Sequence, residues 1–114
     1  MIKRHIQTPI MHRAVEANGF VFFGGIIADD LTLDMAGQTR QVLDKLESYL
    51  AEAGTDNKRI VTATAYVSDL NLKKGMNDVW TQWFDADHLP ARATLGVADL
   101  GKNVLLELVV TAVK

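Results

Sequence analysis

The segment Val104-Leu105-Leu106-Glu107-Leu108-Val109-Val110-Thr111-Ala112-Val113 limits the possible folds more than any other stretch of the chain. Its β-branched residues and leucines favour an extended strand. Alternation then sends Leu106, Leu108 and Val110 to one face and Leu105 and Val109 to the other. Such a strand has no wet face, so it belongs inside a sheet covered on both sides. Phe20-Val21-Phe22-Phe23-Gly24-Gly25-Ile26-Ile27 has the same character.

Only two helices are available as cover. The first is predicted from about Asp34 to Ala53, where Thr39, Val42, Leu43, Leu46, Leu50 and Ala53 recur at helical spacing and Gly54 supplies a stop. The second is predicted over about 72–86, with Leu72, Met76, Val79, Trp80, Trp83 and Phe84 as its apolar stripe. Ile60 to Val67 alternates cleanly as a strand. Weaker strands are expected over 2–7, 12–16 and 92–97. Asn18-Gly19 marks a hairpin turn before Phe20, and Ala98 to Asn103 form the turn before the last strand.

The order is β-β-β-α-β-α-β-β, an α+β domain whose sheet is mixed because the helices act as crossovers. The 114 residues are expected to form one domain, 1–114. Two helices cover one face of a five- or six-stranded sheet, so the other face calls for a second cover. A homo-oligomer in which sheets pack on sheets is the simplest answer.

Composition narrows the function classes. With 48% hydrophobic and 23% charged residues, the chain reads as globular and ordered. A formal net charge of −2 and the lack of a basic cluster make nucleic acid an unexpected partner. No apolar run is long enough to span a membrane, and the first residues lack the pattern of a signal peptide. The absence of cysteine excludes disulfides and thiol chemistry and fits a cytoplasmic setting. His5, His12 and His88 show no metal-ligand spacing, and no glycine pattern fits a phosphate or dinucleotide loop. Neither a metal nor a cofactor is expected.

Glu107 is the only charge in its strand, and Arg92 the only charge in the strand segment before it. A carboxylate in an apolar strand needs a partner. If strands 92–97 and 104–112 form an antiparallel hairpin, Arg92 lies opposite or diagonal to Glu107 in two of the plausible registers. A one-position slip separates them by a face. The plain reading is a cross-strand or intersubunit salt bridge. The functional reading is a guanidinium that grips a substrate carboxylate bidentately beside a carboxylate that positions water. Gly24-Gly25 either marks a bulge or admits a ligand close to the backbone. Trp80, Trp83 and Phe84 are core by spacing.

Leu89-Pro90-Ala91-Arg92-Ala93-Thr94-Leu95-Gly96-Val97-Ala98-Asp99-Leu100 followed by Val104-Leu105-Leu106-Glu107-Leu108 resembles the signature of the Rid (YjgF-like) reactive-intermediate deaminases, also labelled endoribonuclease L-PSP. Asn18 to Gly25, Gln38-Thr39 with Val42-Leu43, Thr62 to Leu70, and Met76-Asn77 with Trp80 and Phe84 resemble further parts of the family pattern. The resemblance spans essentially the whole chain.

It implies a chorismate-mutase-like fold, a homotrimer whose sheets form an inner barrel, and active sites in the clefts between subunits. It implies cofactor-free hydrolysis of reactive 2-imino or enamine acids, such as 2-aminoacrylate, to 2-keto acids and ammonia. Arg92 would bind the substrate carboxylate, Glu107 would position water, and the Thr94 backbone would hold the nitrogen end. Gly24 and Gly25 would line the site, and Phe84 would add an apolar wall. Met11 stands where the family's well-studied members carry tyrosine, and Gly24 where a small polar residue is usual, which implies a less polar pocket and a divergent subgroup. Two other functions stay open at this stage: a non-catalytic trimer that binds a small metabolite through Arg92, and, with less support, an endoribonuclease.

Overall fold

The computed structural model describes residues 1–114. Six strands form one sheet: β1 (Lys3–Gln7), β2 (His12–Ala17), β3 (Phe20–Phe23), β4 (Ile60–Val67), β5 (Ala91–Gly96) and β6 (Leu106–Val113). Their order across the sheet is β1-β2-β3-β6-β4-β5. Two helices, α1 (Met35–Glu52) and α2 (Lys73–Trp83), follow β3 and β4. The predicted element order and the mixed α+β sheet are both observed.

Local chemistry explains most boundaries. Asn18 and Gly19 adopt φ of 52° and 79°, so both central residues of the β2–β3 turn lie in the left-handed region. That is the twist a two-residue hairpin requires, and glycine and asparagine tolerate it best. At the start of α1, the Asp34 carboxylate accepts a hydrogen bond from the Gly37 N–H at 2.9 Å. Gly54, at φ 82°, ends the same helix.

Both helices pack on one face of the sheet. Val42, Leu43, Leu46 and Leu50 of α1 and Met76, Val79 and Trp80 of α2 join Ala63, Ala65, Val67, Leu106, Leu108, Val110 and Ala112 in one buried core. Each fully buried Leu or Val contributes roughly 1.5–3 kcal/mol through removal of its surface from water. The residues that alternate with these strand positions point to the opposite, helix-free face. There Phe20, Phe22 and Leu95 are 43%, 48% and 45% exposed. The apolar second face expected from the sequence is real, and within one chain it is uncovered.

Four expectations need correction. The strand read over 20–27 stops at Phe23. Phe22 pairs with Thr111, but the next bridge joins Ile26 to Leu108, so β3 carries one extra residue and Gly24-Gly25 form a bulge. The second helix ends at Trp83 rather than near 86. Phe84 is extended, and its ring lies 4.7 Å from that of Trp80 and 4.8 Å from that of Trp83. Aromatic packing outweighs continuation of the helix there. The last strand begins at Leu106, two residues later than read.

The fourth correction concerns pairing. β5 and β6 are not a hairpin. β4 lies between them, antiparallel to β6 and parallel to β5. The unit β4-α2-β5 is a crossover that returns the chain parallel to its starting strand, and residues 97–105 then pass over the end of β4.

Candidate active site

Arg92 pairs with Ala63 across the β4–β5 ladder, and Glu107 pairs with Tyr66 across the β4–β6 ladder. Ala63 is buried under the helices, whereas Tyr66 alternates to the other face. The two charges therefore leave the sheet on opposite faces, one strand apart. The cross-strand salt bridge considered from spacing is absent within the chain, and neither side chain enters any intrachain ion pair.

The candidate residues fall into two groups. The first surrounds Glu107 on the helix-free face. A Cβ placed on Gly25 would lie 2.9 Å from Glu107 Cδ and closer still to its Oε2. Glu107 thus occupies space that exists only because residue 25 has no side chain. A Cβ on Gly24 would meet Met11 Sδ at 3.4 Å. Met11, Gly24, Gly25 and Glu107 are thereby contiguous: the double glycine forms a bulge, and the bulge brings Gly25 against the Glu107 carboxylate. The backbone beyond the bulge is pinned by Lys45, whose Nζ donates to Ile27 O at 2.9 Å and to Asp29 Oδ1 at 3.0 Å.

The second group lies at the other edge. Arg92 Cζ sits 5.0 Å from the centroid of the Trp80 ring, a cation–π arrangement. Trp80 is buried, and its ring packs against that of Phe84 at a tilt of 48°. Burial draws the Arg92 pKa below its ordinary value, yet a guanidinium stays charged at neutral pH. Thr94 leaves β5 on the same face as Arg92. As β5 is an edge strand, backbone N–H and C=O groups along its outer side have no ladder partner within the chain. One turn before Trp80, Asn77 Oδ1 is buried with no hydrogen-bond partner.

Sequence reasoning named Arg92, Thr94 and Phe84 here but missed the platform. Helical spacing marks Trp80 as core, which it is, and its ring also lies against the guanidinium. Only the i, i+4 relation of Trp80 to Phe84 signalled an aromatic surface. No group of three or more His, Cys, Asp or Glu side chains is arranged to hold a metal ion.

Chemically, the chain presents a partly buried planar cation on one face and an unpaired carboxylate in a glycine-walled recess on the other. A mixed six-stranded sheet with two helices on one face is the architecture of YjgF and Rid proteins. A YjgF-family protein of Neisseria meningitidis superposes with TM-score 0.95 at 33% identity, over 100% of this chain and 95% of that one. A Rid-family protein of Yersinia pestis gives 0.88 at 32% identity, over 95% and 90%. The chain belongs to the family described as endoribonuclease L-PSP, which it matches over residues 5–114. A RutC family protein of Synechocystis is 38% identical over 109 residues, covering 90% of this chain and 84% of the relative. The resemblance read from the Pro-Ala-Arg segment and the Glu107 strand is therefore confirmed at the level of the family.

Proposed function

We propose that the protein hydrolyses small 2-imino acids, and the enamines that tautomerise to them, to 2-keto acids and ammonia. The observation that carries this reading is that Arg92 and Glu107 are both charged, both partly buried and both without an ionic partner in their own chain. Unpaired charges at partly buried positions are costly, and a substrate supplies what each lacks. The Arg92 fork takes the carboxylate in two parallel hydrogen bonds. Thr94 backbone groups on the open β5 edge hold the nitrogen end, while Phe84 and Met11 line apolar walls.

Glu107 holds a water against the imine carbon. The water oxygen bonds to that carbon while the C=N pair moves to nitrogen, which gives a carbinolamine. Glu107 accepts the proton released by the water and returns it to the nitrogen. Glu107 then takes the carbinolamine hydroxyl proton and passes it to the amino nitrogen, so that the C=O bond forms as the C–N bond breaks, leaving a 2-keto acid and ammonia. The imine carbon is already electrophilic, so positioning and a held water supply most of the acceleration. The reaction calls for no cofactor.

Because the two groups leave opposite faces of one sheet, the site closes between copies. We infer a homotrimer in which the helix-free faces pack together, so that the Glu107 group of one copy meets the Arg92 group of the next. The exposed Phe20 and Phe22 support this arrangement.

The test is release of ammonia and keto acid from imino acids generated in situ by an amino-acid oxidase. Wild type should accelerate release and Arg92→Ala should not, at unchanged oligomeric state. Full activity in Arg92→Ala would overturn the mechanism.

A further inference from the structure

Gln38 is an amide buried completely, at 0% exposure, on a helix that otherwise buries apolar residues and one threonine. Its Nε2 donates to Asn103 O at 2.9 Å and to Leu33 O at 3.1 Å, and its Oε1 accepts from the Leu105 N–H at 3.0 Å. Both donors are thus used, and the bonds to Asn103 and Leu105 bridge 65 and 67 residues of sequence.

The pattern of those two bonds is informative. The two bonds tie the turn at Asn103 and the residue just before β6 to α1. Leu105 O in turn accepts from the Ser68 N–H at 3.1 Å, the bond that closes the β4–β6 ladder, while the Leu105 N–H goes to Gln38 instead of to a β4 carbonyl. Both backbone polar groups of Leu105 are therefore clamped at the entry to β6. Immediately upstream the chain bends through Gly101 at φ 105° and Asn103 at φ 65°, in a turn closed by the Val104 N–H to Gly101 O bond at 3.1 Å, and Gln38 fixes that turn to α1.

Glu107 lies two residues beyond the clamp, and alternation sends it to the same face as Leu105. One residue later, Leu108 exchanges both backbone bonds with Ile26, at 2.9 and 3.0 Å. The Glu107 backbone is held between these two fixed points, and its carboxylate rests against Gly25. A side chain that moved the first point would move the carboxylate without touching anything bound beside it.

We propose that Gln38 is a positioning residue for Glu107: its side-chain amide ties Asn103 O and the Leu105 N–H to α1 and so sets where β6 delivers the carboxylate. This rests on the reading of Glu107 as the group that positions water. The test uses Gln38→Met, which keeps the volume and loses the polar contacts, and Gln38→Glu, which keeps an acceptor for Leu105 and loses both donors.

For each variant, kcat and KM would be measured on in situ imines, together with amide hydrogen exchange along α1 and β6. In Gln38→Met, kcat should fall about tenfold or more while KM, set by Arg92, stays within about twofold. Exchange should accelerate at Leu105 and Glu107 but not at Leu43 or Leu46. Should Gln38→Met fail to fold, Gln38→Glu carries the same comparison. Unchanged exchange at Glu107, a uniform rise across α1 and β6, or an unchanged kcat with displaced exchange would each overturn the proposal. If wild type turns over no imine, the functional reading falls. The carboxyl carbon resonance of Glu107, compared between wild type and variant, still shows whether Gln38 positions it.

Discussion

Gly25→Ala isolates the placement of one carboxylate. Gly25 is not in the left-handed region, so alanine is compatible with its backbone and the effect is one of space alone. The added methyl would lie 2.9 Å from Glu107 Cδ and 3.1 Å from Cγ, where ordinary contacts begin at 3.4 Å. The carboxyl carbon must retreat by about 0.5 Å and the nearer oxygen by more. Glu107 can do so because its side chain is only partly buried. Overpacking of this kind costs about 1–3 kcal/mol, offset by about 0.4–1 kcal/mol from the stiffer unfolded chain, so the fold survives. Catalysis should not be spared. A misplacement of about 1 Å costs about 100-fold, and the expected loss in kcat is about 10- to 100-fold, or roughly 1.4–2.7 kcal/mol of barrier. The paired control is Gly24→Ala, whose methyl meets Met11 Sδ at 3.4 Å and Cε at 3.7 Å. That variant leaves the space of Glu107 untouched and presses only on Met11, an apolar wall in the proposed site, so it should move KM more than kcat and cost less kcat than Gly25→Ala. Both would be assayed as keto-acid release from imines made in situ. A Gly25→Ala enzyme running at the wild-type rate would refute the reasoning, and equal losses in both variants would assign the effect to the segment rather than to Glu107.

Arg92→Lys keeps the charge but loses the planar fork and its seat on Trp80. We expect kcat/KM to fall at least about tenfold at unchanged Tm, and a lysine enzyme equal to wild type would show that charge alone suffices. Phe22→Asp places a carboxylate on the bare face while sparing the chain's own core. Sedimentation should shift to monomer and imine turnover should vanish with far-UV dichroism unchanged, whereas an intact trimer would rule that face out as the interface. Glu16 tests the pH dependence of stability. Its pKa is lowered from the ordinary 4.5, first by the hydrogen bond from His5 and then by Lys114. A depressed carboxyl pKa means stability present above 4.5 and lost as pH falls through the lower folded value. The Tm gap between wild type and Glu16→Gln should therefore be full at neutral pH and close in acid, and a gap unchanged down to about pH 3 would contradict the assignment.

Much of the fold is written locally. Asn18-Gly19 specifies a hairpin because both residues tolerate positive φ, and the structure uses it. The alternation of Ile60 to Val67 and the period of Val42, Leu43, Leu46 and Leu50 report which side meets the core. The uncovered apolar face was also legible, since alternation in β6 leaves no polar side. Strand order was not. Arg92 and Glu107 are neighbours in the sequence pattern, and a hairpin between their strands is the shortest connection. The pairing is decided instead by the α2 crossover, which lays β5 beside β4 and fills the place that β6 would have taken. Phe84 was misplaced for a related reason. Its helical spacing is genuine, but its ring gains more by leaving the helix to pack between Trp80 and Trp83.

The strand order also explains why the family signature looks like a pair in sequence yet lies in two separate places in the chain. Had β5 and β6 been adjacent, Arg92 and Glu107 would sit within reach of each other and neutralise one another, and a substrate would have to break that bridge to enter. With β4 between them and the two side chains on opposite faces, neither can satisfy the other in its own chain. Each keeps its binding capacity, and the sheet holds the two apart at fixed positions. In the proposed trimer, the apolar face that would otherwise be a liability to aggregation brings a second copy into register. In this reading, assembly and catalysis are one event. A variant that loses the interface should lose turnover completely rather than in proportion to its instability, even where each chain remains folded.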